Sequence, residues 1–279
     1  MNLIQEVLDG RTELLAEEIV QLTGMTVDLY KAKDNVIRTP DQNLLFVGDL
    51  HGELKTLQSV KRIFEKYKNH SMVFLGDYAD RGPSQLETFN LVMAMSLKYP
   101  DRITMLRGNH EADSIASHYG FFWEIMKKKS NALCQNFNKV FEALPIAGYS
   151  DSGIFSCHGG IPEDVSSLRD LQKIERHNPD FANDILFQLV WNDPEDKDFY
   201  FRPNKRSKRA RIFGQKAFKK FCDDLGIKLM IRAHQVFIEG VKFFFDSKLV
   251  SVFTSGCEDG ITPKLVRVGA NLQVESISL

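Results

Sequence analysis

Residues 72–82 read Met72-Val73-Phe74-Leu75-Gly76-Asp77-Tyr78-Ala79-Asp80-Arg81-Gly82. An unbroken apolar run enters a glycine, and two carboxylates and a guanidinium follow at once. An apolar run without alternation suits a strand buried on both faces, and the glycine lets the backbone turn sharply where that strand emerges. Taken alone, the stretch is equally a strand-ending loop held by a local ion pair, because Asp, Arg and Gly are ordinary turn residues. The rest of the chain decides between the two.

Working outward, the same arrangement recurs. Leu44-Leu45-Phe46-Val47 and Ile103-Thr104-Met105-Leu106 are similar apolar runs, and helix-like stretches at about 53–67 and 84–98 separate the three. Strands alternating with helices predict a βαβαβ unit whose parallel strands are buried on both faces. Each run ends in glycine and ligand-capable residues: Gly48-Asp49-Leu50-His51, Gly76-Asp77 and Gly108-Asn109-His110-Glu111. Right-handed crossovers bring these ends to one sheet edge, where open α/β sheets gather their sites. Farther on, 145–149 and 153–157 read as a hairpin about Asp151-Ser152-Gly153 that ends in His158-Gly159-Gly160. The apolar run 227–231 ends in Arg232-Ala233-His234.

The flanking segments read more coarsely. Residues 3–22 predict amphipathic helix broken near Gly10, and 31–42, polar with a Thr39-Pro40 step, predicts a loop. Residues 121–144 predict helix with Phe122, Ile125, Met126, Leu133, Phe137, Val140, Phe141 and Leu144 as its buried stripe. An apolar stretch at 184–190 runs into Trp191-Asn192-Asp193-Pro194, and a polar, basic loop continues to about Arg211. A helix is expected near 215–224, and strands near 241–245, 249–253 and 264–268 form an antiparallel portion. With no repeat or linker, one domain is expected over 1–279, with 1–43 as helical cap and lead-in and 44–279 as the core.

Composition narrows the class. With 43 % apolar and 26 % charged residues, disordered and fibrous chains are excluded. A formal net charge of −1 argues against nucleic acid or a membrane surface as partner. Cys134, Cys157, Cys222 and Cys257 have no CxxC spacing and no signal-like N-terminus precedes them, so they read as reduced thiols of a cytoplasmic protein. Nowhere do enough uncharged apolar residues run together for a membrane span.

The strand ends jointly offer Asp49, His51, Asp77, Asn109, His158 and His234. Carboxylate and imidazole together suit manganese, iron or zinc, and six protein ligands exceed what one open catalytic ion needs. If Asp77 bridges, two ions share them, Asp49 and His51 on one and Asn109, His158 and His234 on the other. A lone Asp-x-His is more often surface chemistry than a ligand pair; the joint placement is what carries weight. His51, His110, His158 and His234 all fall at ends of apolar runs, whereas His70, His118 and His177 do not and read as structural.

The ordered set GDLHG (48–52), GDYADRG (76–82), RGNHE (107–111), HGG (158–160), WNDP (191–194) and RAH (232–234) resembles the phosphoprotein phosphatase family of serine/threonine phosphatases over roughly residues 44–255. Tyr99-Pro100, Tyr119-Gly120-Phe121 and Leu144-Pro145-Ile146 extend the resemblance beyond the ligand set. It implies a mixed α/β fold with a central β-sandwich flanked by helices, and two divalent metal ions, with manganese first and iron or zinc as alternatives. It also implies direct hydrolysis of phosphomonoesters by a water bridging the ions, phosphorylated protein substrates, and regulatory subunits as possible partners.

Within such chemistry Arg81 offers bidentate donors to phosphoryl oxygens, with the Asn109 amide nearby. His110 serves as general acid for the leaving oxygen, and Asp80 holds it protonated and oriented. A second phosphate-binding arginine is expected by resemblance before Phe213-Gly214; Arg206 fits the spacing best and Arg209 is its rival. The bland reading of the run Lys205, Arg206, Lys208, Arg209 and Arg211 is a solvated, mobile loop, and Asp193 reads as structural. Thr254-Ser255-Gly256-Cys257 departs from the Asn-Tyr pair usual there, and with it the aromatic wall over the metals. No cysteine precedes an arginine by six residues, 49–51 is not Asp-x-Asp, and no Gly-Lys step makes a P-loop, which sets aside other phosphatase chemistries. The alternatives are a diadenosine polyphosphate hydrolase or broad-specificity phosphoesterase on the same centre, and a metal-binding scaffold without turnover. Asp80 and His110 count against the scaffold.

Overall fold

The computed structural model describes residues 2–257 and 259–279. Its strands begin with β1 (Val36–Arg38), β2 (Leu44–Val47), β3 (Ser71–Phe74), β4 (Ile103–Met105), β5 (Ala147–Tyr149), β6 (Ile154–Cys157) and β7 (Asp193–Pro194). They continue with β8 (Phe201–Asn204), β9 (Ser207–Phe213), β10 (Leu229–Arg232), β11 (Val241–Phe244), β12 (Leu249–Val252), β13 (Lys264–Val268) and β14 (Val274–Ser278). The helices are α1 (Leu3–Leu8), α2 (Ala16–Tyr30), α3 (Leu54–Lys66), α4 (Gln85–Lys98) and α5 (Asp113–Tyr119). After them come α6 (Phe121–Lys128), α7 (Ala132–Ala143), α8 (Leu168–Gln172), α9 (Asp184–Trp191) and α10 (Gln215–Leu225).

Successive side chains of a strand face opposite ways, and here both faces are apolar. Leu44 and Phe46 of β2, Val73 of β3, Ile154 of β6, Ile231 of β10, Val250 and Val252 of β12 and Val266 of β13 meet in one buried cluster. That cluster is the filling between two sheets. One has the order β14-β13-β2-β3-β4 and the other β1-β5-β6-β10-β12-β11. On the outer face of the first, Leu45, Val47, Met72 and Phe74 pack against residues of α1–α7. On the outer face of the second, Phe155, Met230 and Leu249 pack against residues of α8, α9 and α10. The result is the expected β-sandwich flanked by helices. Each such side chain contributes about 1.5–3 kcal/mol when fully buried.

Both sheets have a parallel centre, β2-β3-β4 in one and β6-β10-β12 in the other. The sheets are stitched together where β2 and β12 run out. Asp49 bridges Phe253 in parallel, and the Gly48 N–H donates to Thr254 Oγ1 at 2.8 Å. That hydroxyl, fully buried, donates onward to the Lys264 carbonyl at 2.7 Å. Thr254, part of the stretch that departs from the family pattern, is therefore a joint between sheets.

Several expectations need correction. The loop expected at 31–42 contains β1, which pairs in parallel with β5 and so joins the second sheet. Its partner lies too far along the chain for local pattern to reveal it. The N-terminal helix does not stop near 22; α2 continues to Tyr30, whose buried hydroxyl meets Ser96 at 2.6 Å. The helix expected over 121–144 is two, α6 and α7, and Met126 is 38 % exposed instead of lining the core. Both helices turn apolar faces to one cluster, so their combined pattern mimics a single helix. The stretch 184–190 belongs to helix α9, and the basic loop to 211 contains the hairpin β8-β9, beside which β7 adds in parallel to β9. The final strand β14, pairing antiparallel with β13, was not anticipated. Among the described residues no helix is long and apolar enough to cross a membrane.

Replacing Thr254 with valine keeps its shape and removes both hydrogen bonds at the joint. The orphaned Gly48 N–H predicts a loss of about 1–3 kcal/mol; a urea midpoint equal to that of the wild type would refute it.

Candidate metal centre

The ends of β2, β3, β4, β6 and β10 open on one cleft, and the backbone there is bent to an uncommon degree. His51, Asp77, Asp80, Arg81 and His234 have φ of 46°, 57°, 68°, 69° and 70°. Left-handed backbone at non-glycine residues costs on the order of 1–3 kcal/mol each and persists only where surroundings enforce it. Here the enforcement is visible. Gly76, at φ 111°, lies so close to Gly108 that a methyl group on it would overlap the Gly108 backbone. The N–H groups of Leu50 and His51 both donate to the Asp77 carbonyl, at 2.9 and 3.0 Å.

Asp77 is the hub. Its Oδ1 accepts the His110 N–H at 2.9 Å, and its Oδ2 lies 3.3 Å from His158 Nε2, 3.8 Å from His51 Nε2 and 4.0 Å from His110 Nε2. Two groups of three whose donor atoms lie within 4.8 Å of one another result: His51, Asp77 and His110, and Asp77, His158 and His234. Asp77 belongs to both, and every member is buried. Asp49 stands beside the first group, with Oδ2 3.6 Å from His51 Nε2 and Oδ1 accepting the His234 N–H at 2.9 Å. Asn109 stands beside the second, its Oδ1 2.8 Å from His158 Nε2. All six expected ligands are thus brought together.

The donor chemistry fits divalent cations. His51 Nδ1 donates to the Ala79 carbonyl at 3.0 Å and His158 Nδ1 to the Leu75 carbonyl at 3.1 Å. A backbone carbonyl on Nδ1 fixes the tautomer and leaves the Nε2 lone pair facing the cleft, the usual support for a metal-binding imidazole. At His158 that lone pair faces an amide oxygen, a carboxylate oxygen and, at 3.3 Å, His234 Nδ1. Acceptors gathered this way call for a cation. The electrostatics agree. Burial opposes ionisation of Asp77, yet His158, His110 and His51 hold its carboxyl well below the usual carboxylate range. Burial likewise lowers His51 and His158, but Asp49 and Asp77 around the first and Asp77 and Asp49 around the second raise both. Burial and the charges of His158, Arg232 and Arg206 hold His234 well below its ordinary value, which keeps it neutral.

His110 has a different setting. Its Nδ1 meets Asp80 Oδ2 at 2.6 Å, and the other Asp80 oxygen accepts the Phe121 N–H at 2.9 Å. The Asp80 N–H donates to Gln85 Oε1 at 3.0 Å. Asp80 is thereby anchored to the starts of α4 and α6, and His110 Nε2 is left facing Asp77. Arg81 is exposed at the rim, its guanidinium 6.0 Å from the Tyr119 ring centre. Of the two rival arginines, Arg209 is turned elsewhere, with Nε 2.6 Å from Asp184 and its guanidinium 4.3 Å over the Phe187 ring. Arg206 Nε meets Asp193 Oδ2 at 2.8 Å, and its charge is among those felt by His234. The basic run is thus not a free solvated loop: Arg206, Arg209 and Arg211 each pair with a carboxylate from outside the hairpin. Asp193 is structural in this geometry, joining Arg206, Asn204 and the fully buried Arg232. His118 and His177 take no part: His118 Nδ1 meets the carbonyl of Ser114 in its own turn, and the His177 N–H bonds Glu175.

One residue of the site went unassigned from sequence. Glu111 is buried, and its Oε2 accepts the N–H groups of Asp77 and Gly108 at 2.7 and 2.8 Å while Oε1 accepts that of Tyr78 at 3.0 Å. It clamps the ends of β3 and β4 together and holds the Asp77 backbone in its left-handed turn. Burial and the neighbouring Asp77 charge push its carboxyl up to about 7 against the hydrogen bonds from the Asp77 and Tyr78 N–H groups. The only signal in sequence was a glutamate directly after two ligand-type residues at a strand end.

A family model described as "Calcineurin-like phosphoesterase" matches residues 43–237. The serine/threonine-protein phosphatase 6 catalytic subunit of Drosophila melanogaster is 34 % identical over 241 residues, covering 85 % of this chain and 78 % of that protein. The chain belongs to the phosphoprotein phosphatase family. A second relative, the serine/threonine-protein phosphatase 4 catalytic subunit of Saccharomyces cerevisiae, is 32 % identical over 258 residues, covering 91 % of this chain and 82 % of that protein. Among solved structures, a protein serine/threonine phosphatase from Saccharomyces cerevisiae, described as similar to human phosphatase PP5, superposes with a TM-score of 0.86 at 25 % identity, covering 98 % of this chain and 92 % of that one. As a member of this phosphatase family the chain is a hydrolase with the metallophosphoesterase fold.

The role of Glu111 is open to direct measurement. Glu111→Gln would set an amide donor against backbone N–H groups, which predicts a loss of about 1.5–3 kcal/mol in chemical unfolding and weaker retention of added manganese on a desalting column. Unchanged stability and retention would show that the clamp is dispensable.

Proposed function

We propose that this phosphatase hydrolyses phosphoserine and phosphothreonine in proteins at a centre of two divalent cations, manganese being the first candidate. Asp49, His51 and Asp77 would hold one ion, and Asp77, Asn109, His158 and His234 the other. The observation that carries the reading is Asp77, shared by two buried groups of ligand-type residues, one of which includes His110, tied to its own carboxylate Asp80. Cations bound there would lower the pKa of coordinated water and neutralise phosphoryl charge.

The chain's own residues supply the rest. Arg81, at the rim, presents paired donors to two phosphoryl oxygens, and Arg206 approaches from the hairpin side. Arg206 is favoured over Arg209 because Asp193, which it pairs with, also holds Arg232 of the strand end that carries His234, whereas Arg209 pairs with Asp184 on α9. The Asn109 amide N–H group lies beside the same oxygens. Since Asp80 accepts the Nδ1–H of His110, a protonated His110 offers Nε2–H to the departing seryl or threonyl oxygen, and that proton completes the alcohol product. The relatives described as catalytic subunits support regulatory subunits as partners. The four cysteines, with no CxxC spacing and read as reduced thiols, support a cytoplasmic setting.

The deciding experiment is a manganese-dependent assay on phosphoserine, phosphothreonine and phosphotyrosine peptides beside diadenosine tetraphosphate. Faster hydrolysis of the serine and threonine phosphopeptides is expected; preference for the dinucleotide would overturn the protein-substrate reading. Asp77→Asn should lose turnover together with bound manganese measured by elemental analysis. Asp80→Asn should slow turnover by roughly 10²–10⁴-fold with the manganese content intact. If Asp80→Asn also lost the metal, its assignment as partner of the acid would fail.

A further inference from the structure

A surface beside the cleft plays no part in the chemistry above. Tyr119 is 51 % exposed, Trp123 66 % and Met126 38 %, three large apolar side chains within eight residues. Large exposed apolar side chains grouped on one segment are a mark of interaction surfaces. Trp123 and Met126 stand three apart on α6 and so share a face. With Pro83, Glu124, Lys127 and Lys128 they line a groove of about 700 Å³.

The groove is built onto the frame of the proposed catalytic groups. Pro83 follows Arg81 by two residues, and the Arg81 N–H donates to the Tyr119 carbonyl at 3.3 Å. The Phe121 N–H, at the start of α6, donates to Asp80, whose own N–H donates to Gln85. Glu124, which lines the groove, accepts the N–H groups of Gln85 and Leu86 at 3.3 and 2.9 Å and so satisfies orphan donors at the start of α4. The Tyr119 ring also stands edge-on to His110, with centroids 5.1 Å apart. Groove, phosphate clamp and acid therefore form one hydrogen-bonded body.

We propose that this groove docks the polypeptide of the phosphoprotein substrate, taking a bulky apolar side chain with an acidic neighbour. The inference rests on the phosphatase reading above. Continuity with the cleft selects the substrate's own chain as occupant: Pro83 of the groove follows Arg81 by two residues, so an extended peptide with its phosphoserine at Arg81 passes the groove within a few residues, at about 3.3 Å each. Trp123 supplies a large rigid contact face, as aromatic anchors do at interfaces. The acidic neighbour follows from charge. Lys128 is already paired with Glu87 and Glu124, so the charge offered to a partner comes from Lys127.

The test compares two phosphoserine decapeptides, one with Leu and Asp three and four residues from the phosphoserine and one with Ala and Ser there. Each kcat/KM is divided by that of the same protein on p-nitrophenyl phosphate, which cancels any loss of folded enzyme. The wild type should favour the Leu-Asp peptide by about tenfold, the scale expected for burying part of a leucine side chain. Trp123→Ala should reduce that preference to below about twofold, and Lys127→Glu should remove the part due to Asp. No preference in the wild type, or an undiminished one in Trp123→Ala, overturns the proposal. If the wild type hydrolyses neither peptide nor p-nitrophenyl phosphate with manganese, the phosphatase reading fails separately. Docking is then read by fluorescence anisotropy of the labelled Leu-Asp peptide: saturable binding weakened by Trp123→Ala upholds it, and no binding or equal binding by both proteins refutes it.

Discussion

The turn at Asp77 is the constraint on which the site depends. Its carboxylate faces three imidazoles only because the backbone there is left-handed, and that conformation is held from outside by the carboxylate of Glu111 on the neighbouring strand end. The same glutamate binds the N–H of Gly108, so the ends of β3 and β4 cannot move independently. Asp77 in turn receives the Leu50 and His51 N–H groups on its carbonyl and the His110 N–H on its carboxylate. One residue thus gathers the loops after three parallel strands.

Such a centre is expensive in isolation. Several buried ionisable groups and five non-glycine residues with positive φ lie within one cleft, and buried charge is tolerated only when paired or bound to metal. The sandwich supplies the compensation. Apolar side chains fill the space between the sheets and both outer helical layers, and the strand ends carrying the site are continuous with that packing. Fully buried Arg107 and Arg232 brace the loops by donating to carbonyls, Arg107 to those of Glu111 and Arg176, Arg232 to that of Asn192. The stretch 191–194 belongs to this bracing: Asn192 donates to the Ile161 carbonyl at 2.7 Å and Asp193 secures Arg232.

What could be read from the chain alone follows the range of the forces involved. Short apolar runs such as 44–47 and 72–75 announce strands buried on both faces, because that burial demands apolar residues at every position. Aspartate, asparagine and histidine at their ends announce ligands, because few other side chains offer lone pairs to a cation. β1 escaped notice because its partner β5 is distant in sequence and two of its three residues are not fully buried. The basic run at 205–211 looked solvated because the carboxylates that pair with it, Glu163, Asp184 and Asp193, come from other segments. Met126 fits a helical stripe in sequence, yet α6 turns Phe121, Phe122 and Ile125 to the core and leaves Met126 outside that buried face.

The amino-acid sequence by itself determined the strands of the sandwich centre, the candidate ligand residues at their ends and the family to which the chain belongs, since each depends on residue type at short spacing. Tertiary structure decided which groups meet: that Asp77 lies between two imidazole clusters, that Glu111 clamps its backbone, that Arg206 pairs with Asp193 and Arg209 with Asp184, and that Thr254 joins the sheets. These are encounters between residues far apart in the chain. They are fixed by sheet register and hydrogen-bond satisfaction across the fold, which no local pattern records.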